Sequence, residues 1–313
     1  MFITGGRMFC HNIFNESVNK VKRRIESQTS RTAEYTCLAR CLSYLEKREQ
    51  YKSADGISLI IMNGLIRPLL HFSFFKRQLM RQYPAGMYEY VIARTKTIDS
   101  ELKRALEQGF VQILIFGAGF DSRGIRFREE SKNARIFELD APVTQAAKLE
   151  RFREKGIEVP ESLVFVPIDF DRESLPDCLD KAGFKKGKPS LFILEGLTMY
   201  LQPESVNSTF KVIAEYAGPG SRVVFDHIYA SVMRQENLYE GEREIYNNVA
   251  AAGERFGFGI EKGRVNDFLS VYGFVAEKIL EGETLENMYF RDARGGLAGK
   301  VNKTHCIVTA VKA

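Results

Sequence analysis

The stretch Ile113-Leu-Ile-Phe-Gly117-Ala-Gly119-Phe-Asp121-Ser-Arg123 joins an apolar run to a turn with two glycines. A buried strand followed by such a turn and a helix is typical of nucleotide-binding α/β sheets. Glycine lets the backbone turn tightly and lets a ligand approach it closely. A GxG pair alone is weak evidence, because a tight βα turn without any ligand can carry the same residues.

Outward from this turn, short β-rich runs alternate with helical stretches from Gly109 to the C-terminus. This alternation predicts βαβ units and a doubly wound, mostly parallel α/β sheet. Seven strands are expected, at residues 112–116, 134–139, 163–168, 190–195, 222–227, 275–280 and 305–311. Helices between them are expected at 143–155, 204–217, 229–253 and 265–272.

The chain before this region follows a helical pattern, with apolar residues recurring every three or four positions over residues 18–108. Hydroxyl residues at Ser30–Thr32 predict a helix start, and Pro84–Gly86 predicts a break before the next helix. Residues 1–108 are therefore expected to form a helical lid and substrate segment, and residues 109–313 the cofactor-binding core.

The apolar stretch Ile57–Phe75 is interrupted by Arg67 and Pro68, which would be costly inside a bilayer. A buried helix or lid is the favoured interpretation, and a hydrophobic interface to a partner or lipid is the alternative. No transmembrane segment is expected. Because residues 1–20 lack a basic head followed by an apolar run, no signal peptide is expected either, and the location predicted is cytoplasmic.

Composition excludes several other classes of protein. The 313 residues are 44% hydrophobic with a net charge of +5, and the basic residues are scattered, which argues against a nucleic-acid binder. The five cysteines include no CxxC pair and indicate reduced thiols. None of the four histidines lies at metal-ligand spacing from another, so no metal site is expected.

An acidic residue follows the glycine turn at the distance that nucleoside-binding sheets require. Asp140 ends the second predicted strand, 23 residues after Gly117, where a carboxylate can accept hydrogen bonds from ribose hydroxyls. Dinucleotide enzymes place a third glycine where this chain has Ser122, and Asp121 would repel a diphosphate. A positively charged sulfonium suits this acidic surrounding, which favours S-adenosylmethionine over NAD.

Two further strand ends are acidic. Asp169 closes the third predicted strand, where it can meet an adenine amino group while Phe170 covers the ring. Glu195 closes the fourth, where it can hold the methionine ammonium group. Solvated carboxylates are common at strand ends, but three in succession after a glycine turn point to one cofactor site.

These residues resemble the leucine carboxyl methyltransferase family, in particular its bacterial and archaeal branch of O-methyltransferases of the polyketide-biosynthesis type. The matching stretches run from about Thr32 to His227 and comprise YVIART at 90–95, FGAGFDSR at 116–123, FELDAP at 137–142, IDF at 168–170 and LEGLTMYL at 194–201. The resemblance implies a seven-stranded class I methyltransferase (Rossmann-like) sheet with an antiparallel last strand.

The resemblance also implies roles for individual residues, namely that Gly117 and Gly119 lie against S-adenosylmethionine and Asp140 binds its ribose. Asp169 and Phe170 bind adenine, and Glu195 lies near the methionine end. Arg94 holds a carboxylate of the cofactor or of the acceptor. Tyr200 is a candidate on the acceptor side, or an aromatic residue packed under the lid. Arg31 matches a basic contact of the family more loosely.

We therefore expect methyl transfer to an oxygen of a small-molecule acceptor, most simply the carboxylate of a hydrophobic acid, which is ionised without a general base. The alternatives are a protein C-terminal carboxylate, or a phenol with His227 as the base. An NAD-dependent oxidoreductase, or a protein that binds the cofactor without transferring methyl groups, are alternatives from other classes.

Overall fold

The computed structural model describes residues 31–313 except positions 63, 65, 171 and 252, and only the backbone of Arg31. The expectations about residues 1–30, including the signal peptide, Cys10 and His11, lie outside the described residues. So does the expected contact of the Arg31 side chain.

A seven-stranded mixed sheet forms the centre of the described chain. Its strand order is β3-β2-β1-β4-β5-β7-β6, and β7 runs antiparallel to both of its neighbours while β1 to β5 are mutually parallel. The predicted fold class is thus confirmed, and every predicted strand is found within one residue at each end. The strands are β1 (Gln112–Phe116), β2 (Arg135–Asp140), β3 (Leu163–Pro167), β4 (Ser190–Leu194), β5 (Arg222–Ile228), β6 (Phe274–Glu281) and β7 (His305–Lys312).

Helices cover both faces of this sheet. They are α1 (Arg31–Tyr44), α2 (Gly56–Ile61), α3 (Ser73–Met80), α4 (Met87–Glu107), α5 (Arg123–Arg126), α6 (Pro142–Glu154), α7 (Leu175–Ala182), α8 (Pro203–Tyr216), α9 (Ala230–Met233), α10 (Glu242–Ala251), α11 (Val265–Ser270) and α12 (Gly282–Tyr289). Short 3-10 turns lie at Glu49–Tyr51, Arg67–His71 and Thr198–Tyr200.

Strand β1 shows why the sheet needs both layers. Its side chains alternate between two hydrophobic clusters, Ile113 and Ile115 in one and Leu114 and Phe116 in the other. Each of the four is at most 1% exposed. A parallel strand buried on both faces is nearly continuously apolar for this reason.

The N-terminal helices belong to one of these clusters. Cys37 and Leu42 of α1 and Val91 of α4 pack in the same cluster as Ile113 of β1. The helical segment therefore shares a core with the sheet. The division at residue 108 into a lid segment and a cofactor-binding core stays a prediction.

One predicted helix is wrong. Residues 229–253 form two helices, α9 and α10, instead of one, because the chain between them adopts left-handed backbone conformations. Gln235 and Asn237 have φ angles of 55° and 56°, and Gly241 has a φ of 92°. Such conformations interrupt a right-handed helix.

The apolar stretch Ile57–Phe75 is only partly buried. Ile61 at the end of α2 is 1% exposed, as a buried helix requires, but α3 has no buried residue. The buried-helix interpretation is therefore wrong for the end of this stretch, where Phe72 and Phe74 face solvent. Within the part of the chain that the structure describes, no helix is long and apolar enough to cross a bilayer.

Gly86 joins the N-terminal helices to the C-terminal part of the chain. Its φ is 73°, its carbonyl accepts a hydrogen bond from the Asn302 N–H at 3.0 Å, and a Cβ built there would lie 2.4 Å from the same nitrogen. Gly109 has a similar φ of 78°, with nothing within 4 Å of a built Cβ.

We predict that Gly86→Ala lowers the free energy of unfolding by about 2 kcal/mol more than Gly109→Ala does. Both variants pay the left-handed backbone cost of about 1–2 kcal/mol, and only the first adds a clash with backbone atoms. Urea unfolding of the two variants checks this. Equal losses would show that residues 301–302 move aside freely.

Candidate functional site

A cavity of about 380 Å³ lies at the carboxyl ends of β1 to β4, where ligands bind in open α/β sheets. The structure brings to this cavity eight of the residues that the sequence singled out: Arg94, Gly117, Gly119, Asp140, Asp169, Phe170, Glu195 and Tyr200. Their individual roles remain predictions. The cavity volume lies within the range that protein sites for small molecules and cofactors occupy.

The glycine turn after β1 is tight for two reasons. Gly117 and Gly119 have φ angles of 58° and 51°, in the left-handed region that favours glycine. A Cβ on Gly119 would also lie 2.8 Å from Cβ of Ala33 in α1, and one on Gly117 would lie 3.0 Å from Leu197. Side chains at these positions would push α1 and Leu197 away from the turn that borders the cavity.

Asp140 ties the end of β2 to this turn. One carboxylate oxygen accepts a short hydrogen bond from the Gly119 N–H, and the other accepts from the Ala141 N–H at 2.6 Å. Burial raises the pKa of Asp140 although both N–H groups oppose the shift. Each oxygen keeps a further lone pair, so the carboxylate can still accept hydroxyl groups from a ligand.

Asp169 and Phe170 border the cavity after β3. The backbone N–H of Asp169 donates to Glu173 at 2.7 Å, and its carboxylate lies 3.6 Å from Nε of Arg172. The Phe170 ring lies 6.4 Å from that of Phe116. Together they offer a carboxylate next to an aromatic wall, which suits a flat heterocycle with an amino group.

Glu195 is held between two arginines. Its Oε1 lies 3.1 Å from Nε of Arg94, and its Oε2 lies 2.6 Å from Nη1 of Arg123. Burial would raise the pKa of Glu195, but Arg123 and then Arg94 outweigh it, so the pKa is lowered and the carboxylate stays ionised.

Arg94 is also paired on its other side. Its Nη1 donates to Asp226 at 2.7 Å, which leaves Nη2 as the guanidinium nitrogen without a hydrogen bond to any described residue. This nitrogen lies beside Gly196, where a built Cβ would be 3.4 Å away. Two of the three guanidinium nitrogens of Arg94 therefore bind carboxylates of the protein, and the third can bind a ligand.

These pairs belong to a continuous buried ion network of four arginines and five carboxylates. Arg123 links to Asp99 at 2.7 Å and to Asp121 at 2.5 Å, so the carboxylate of Asp121 is neutralised inside the protein. The remaining links are Arg126–Asp99 at 2.8 Å, Arg126–Asp55 at 3.4 Å and Arg40–Asp55 at 2.9 Å. Sequence reasoning did not find this network, because its members lie far apart along the chain.

Arg40 extends the network to the glycine turn. Its Nη2 donates to the carbonyl of Phe120 at 2.7 Å, and its side chain lines the cavity. The helical spacing over residues 18–108 predicted helices, but it did not indicate that a cation in α1 would contact the glycine turn.

The other end of the cavity is formed by α1 and by the loop after α10. Tyr200 stacks on Phe256 with ring centroids 5.8 Å apart, and the Thr32 hydroxyl donates to Glu254 at 2.5 Å. Burial, and to a lesser degree Glu254, raises the pKa of Tyr200, so its phenol stays protonated.

Arg255 also lines this end. It is exposed and forms no ion pair or hydrogen bond with any described residue, unlike Arg40 and Arg94. Sequence reasoning missed both Glu254 and Arg255, since they fall in a region predicted to be continuous helix followed by a short connection.

His227 does not border the cavity. It is fully buried, its Nδ1 lies 2.9 Å from the carbonyl oxygen of Ile228, and burial lowers its pKa. The described residues around the cavity include no histidine and no lysine. A base for a phenol acceptor is therefore not found at His227.

We predict that Arg123→Met lowers the free energy of unfolding by about 3–5 kcal/mol at neutral pH, because it leaves Asp121 buried without its cation and removes one of the two arginines that pair with Glu195 and with Asp99. Arg128→Met is the matched control. Arg128 is exposed and only 3.7 Å from Glu129, so its loss should cost less than about 1 kcal/mol. Urea unfolding of both variants measures the difference.

The stability that Arg123→Met loses should depend on pH in a defined direction. Burial would raise the pKa of Asp121, but Arg123 and its neighbours hold it at about 2. In the wild type, the stability from this depressed pKa is present above the unfolded value of 3.8 and is lost as the pH falls through about 2. Without Arg123 the carboxylates protonate more readily. The difference in the free energy of unfolding between Arg123→Met and the wild type should therefore become smaller as the pH falls from 7 to 4. A difference that stays constant would contradict the assigned pairing.

The chain is similar to several known bacterial proteins. It is 26% identical over 207 residues to YktD of Bacillus subtilis, assigned as an S-adenosyl-L-methionine-dependent methyltransferase, with 66% of this chain and 68% of that protein covered. It is 34% identical over 146 residues to a protein of Mycobacterium marinum with the same assignment, covering 46% of this chain. In that comparison the chain spans about half the length of the relative, 47%.

A solved structure with a similar fold is that of a methyltransferase from Thermobifida fusca. It superimposes with a TM-score of 0.54 at 14% identity, covering 77% of this chain and 89% of that one. At this identity the likeness concerns the fold alone.

A family model matches residues 53–214, just over half of the chain. The matched region contains the glycine turn and the ends of β1 to β4 that surround the cavity. The chain belongs to the leucine carboxyl methyltransferase family and is an S-adenosyl-L-methionine-dependent methyltransferase.

Proposed function

We propose that this methyltransferase acts on a carboxylate oxygen of a small hydrophobic acid. The observation that carries the proposal is Arg255, an exposed guanidinium at the cavity that pairs with no described carboxylate. A cation at this position attracts an acceptor carboxylate and fixes its orientation, since guanidinium groups bind carboxylates with two parallel hydrogen bonds.

The cofactor half of the cavity suits S-adenosylmethionine. The amino-acid end of that molecule carries an ammonium and a carboxylate group, and the cavity offers the Glu195 carboxylate beside the free Nη2 of Arg94. We assign the ribose to Asp140, and adenine to Asp169 and Phe170. The turn at Gly117 and Gly119 lies against the bound molecule, which supplies a methyl group already activated by a positively charged sulfur.

The acceptor half needs little acid-base chemistry. A carboxylic acid is ionised at neutral pH and needs no base to become a nucleophile. The protonated phenol of Tyr200 can donate a hydrogen bond to the acceptor, but it cannot remove a proton. Alignment and exclusion of water are the tasks left to the protein.

The walls favour a hydrophobic acceptor of limited size. Leu197, Leu201 and Ala33 also line the cavity. A cavity of about 380 Å³ must hold the cofactor and the acceptor together. This space favours a small acid over the tail of a folded protein.

We predict that Asp140→Ala weakens the binding of S-adenosylmethionine at least tenfold, because charge-assisted hydrogen bonds of about 1.5–3 kcal/mol are lost. Isothermal titration calorimetry with the purified protein measures this, with NAD titrated in parallel. Asp177→Ala, an exposed aspartate outside the cavity, is the control and should bind as the wild type does. Binding of NAD, or unchanged binding by Asp140→Ala, would overturn the assignment of this site.

A second prediction concerns the acceptor. A panel of aliphatic and aromatic carboxylic acids, with the matching alcohols and phenols, is incubated with S-adenosylmethionine carrying a labelled methyl group. We expect label in base-labile methyl esters of the acids. Arg255→Gln should raise KM for those acids about tenfold or more while the Kd for S-adenosylmethionine stays unchanged, since a charge-assisted hydrogen bond is lost.

Arg243→Gln is the matched control, because Arg243 is exposed on α10 and does not line the cavity. Label in phenols instead of acids would overturn the proposed acceptor class. A KM unchanged by Arg255→Gln would remove this arginine from acceptor binding.

A further inference from the structure

A second feature, outside the cavity, concerns residues 56–88. This stretch contains no aspartate or glutamate, whereas it contains Arg67, Lys76, Arg77 and Arg81. None of these four cations forms an ion pair with a described residue, although ion pairs are frequent elsewhere in the chain. Among the residues that the structure describes, this positive charge is therefore not compensated by an ion pair, on a protein whose net charge is only +5.

Three aromatic rings are exposed in the same region. Phe72, Phe74 and Phe75 are 60%, 61% and 41% exposed. The ring of Phe75 contacts both others, with centroids 6.3 Å from Phe72 and 5.7 Å from Phe74. They form a contiguous apolar surface.

One of the rings shares a helix face with two of the cations. Phe74, Arg77 and Arg81 follow one another at spacings of three and four residues through α3 and its C-terminal cap, which places them in one row. We call the three phenylalanines with Lys76, Arg77 and Arg81 the aromatic-basic patch. α3 has no buried residue, so neither the exposed rings nor the cations are needed for the protein core.

Charge decides between the possible occupants of this patch. A second copy of the chain in a symmetric dimer would place the same cations opposite one another, since such an interface uses the same surface twice. Anionic phospholipid matches both the cations and the rings. Its headgroups attract lysine and arginine, while phenylalanine enters the boundary between headgroups and acyl chains. We propose that the aromatic-basic patch binds the surface of an anionic phospholipid bilayer.

This binding is peripheral and independent of the acceptor proposed above. α3 is connected to the cavity wall through Tyr83, whose hydroxyl donates to the carbonyl of Tyr35 in α1 at 2.8 Å and whose ring lies 4.1 Å from the Tyr35 ring. Contact with a bilayer would therefore bring a wall of the acceptor cavity close to the phase in which hydrophobic acids dissolve.

The test is co-sedimentation of the full chain with vesicles of phosphatidylglycerol and phosphatidylcholine, compared with vesicles of phosphatidylcholine alone. We expect binding to the anionic vesicles only, and weaker binding at high salt. Arg77→Glu with Arg81→Glu should reduce the partition coefficient at least about 20-fold, since each basic residue near the surface contributes about fivefold. Phe72→Ser with Phe74→Ser should reduce it at least about tenfold.

Matched double variants keep the test specific. Leu238→Ser with Val271→Ser removes equally exposed apolar side chains, and Lys211→Glu with Arg243→Glu reverses two exposed charges; both should sediment as the wild type does. Failure of the wild type to bind anionic vesicles would overturn the proposal, as would patch variants that bind normally. A dimer in light scattering that Phe72→Ser with Phe74→Ser dissolves, without vesicle binding, would show a self-association surface instead.

Discussion

The buried network of arginines and carboxylates is the constraint on which the site depends. Arg123 at its centre is 2% exposed, and it connects α4, the glycine turn and the end of β4 through Asp99, Asp121 and Glu195. Removing one partner from such a network leaves a charge without compensation in a region of low polarity. The turn that borders the cofactor cavity therefore keeps its position because moving it would separate several ion pairs at once.

The half of the cavity that we assign to the cofactor could be predicted from the sequence because its signals are local. A glycine turn after an apolar run, and acidic residues where the next strands end, are set by neighbouring residues and by strand periodicity. The carboxyl ends of parallel strands meet at one edge of the sheet. Hence Gly117, Asp140, Asp169 and Glu195 could be expected together, and the structure places them around one cavity.

The rest could not be predicted because it depends on residues distant in the chain. The partner of Arg94 is Asp226, 132 residues away, and no periodicity indicates this pairing. The apolar content of Ile57–Phe75 suggested burial, but hydrophobicity alone does not show whether a segment packs against the protein core or faces solvent. Arg255 lies in a region where left-handed residues at Gln235 and Asn237 divide an apparently continuous helix.

Thr32 of α1 and Glu254 both line the cavity, and a side-chain hydrogen bond joins them. The loop that carries Glu254 is further attached to the turn after β4 by the hydrogen bond from the Gly257 N–H to the Met199 carbonyl, at 2.8 Å. The segment between β5 and β6 thus borders the proposed acceptor end without contributing to the glycine turn. In protein engineering it is a natural unit for exchange between relatives, with new acceptor preferences introduced while the methyl-donor half of the enzyme is left unaltered.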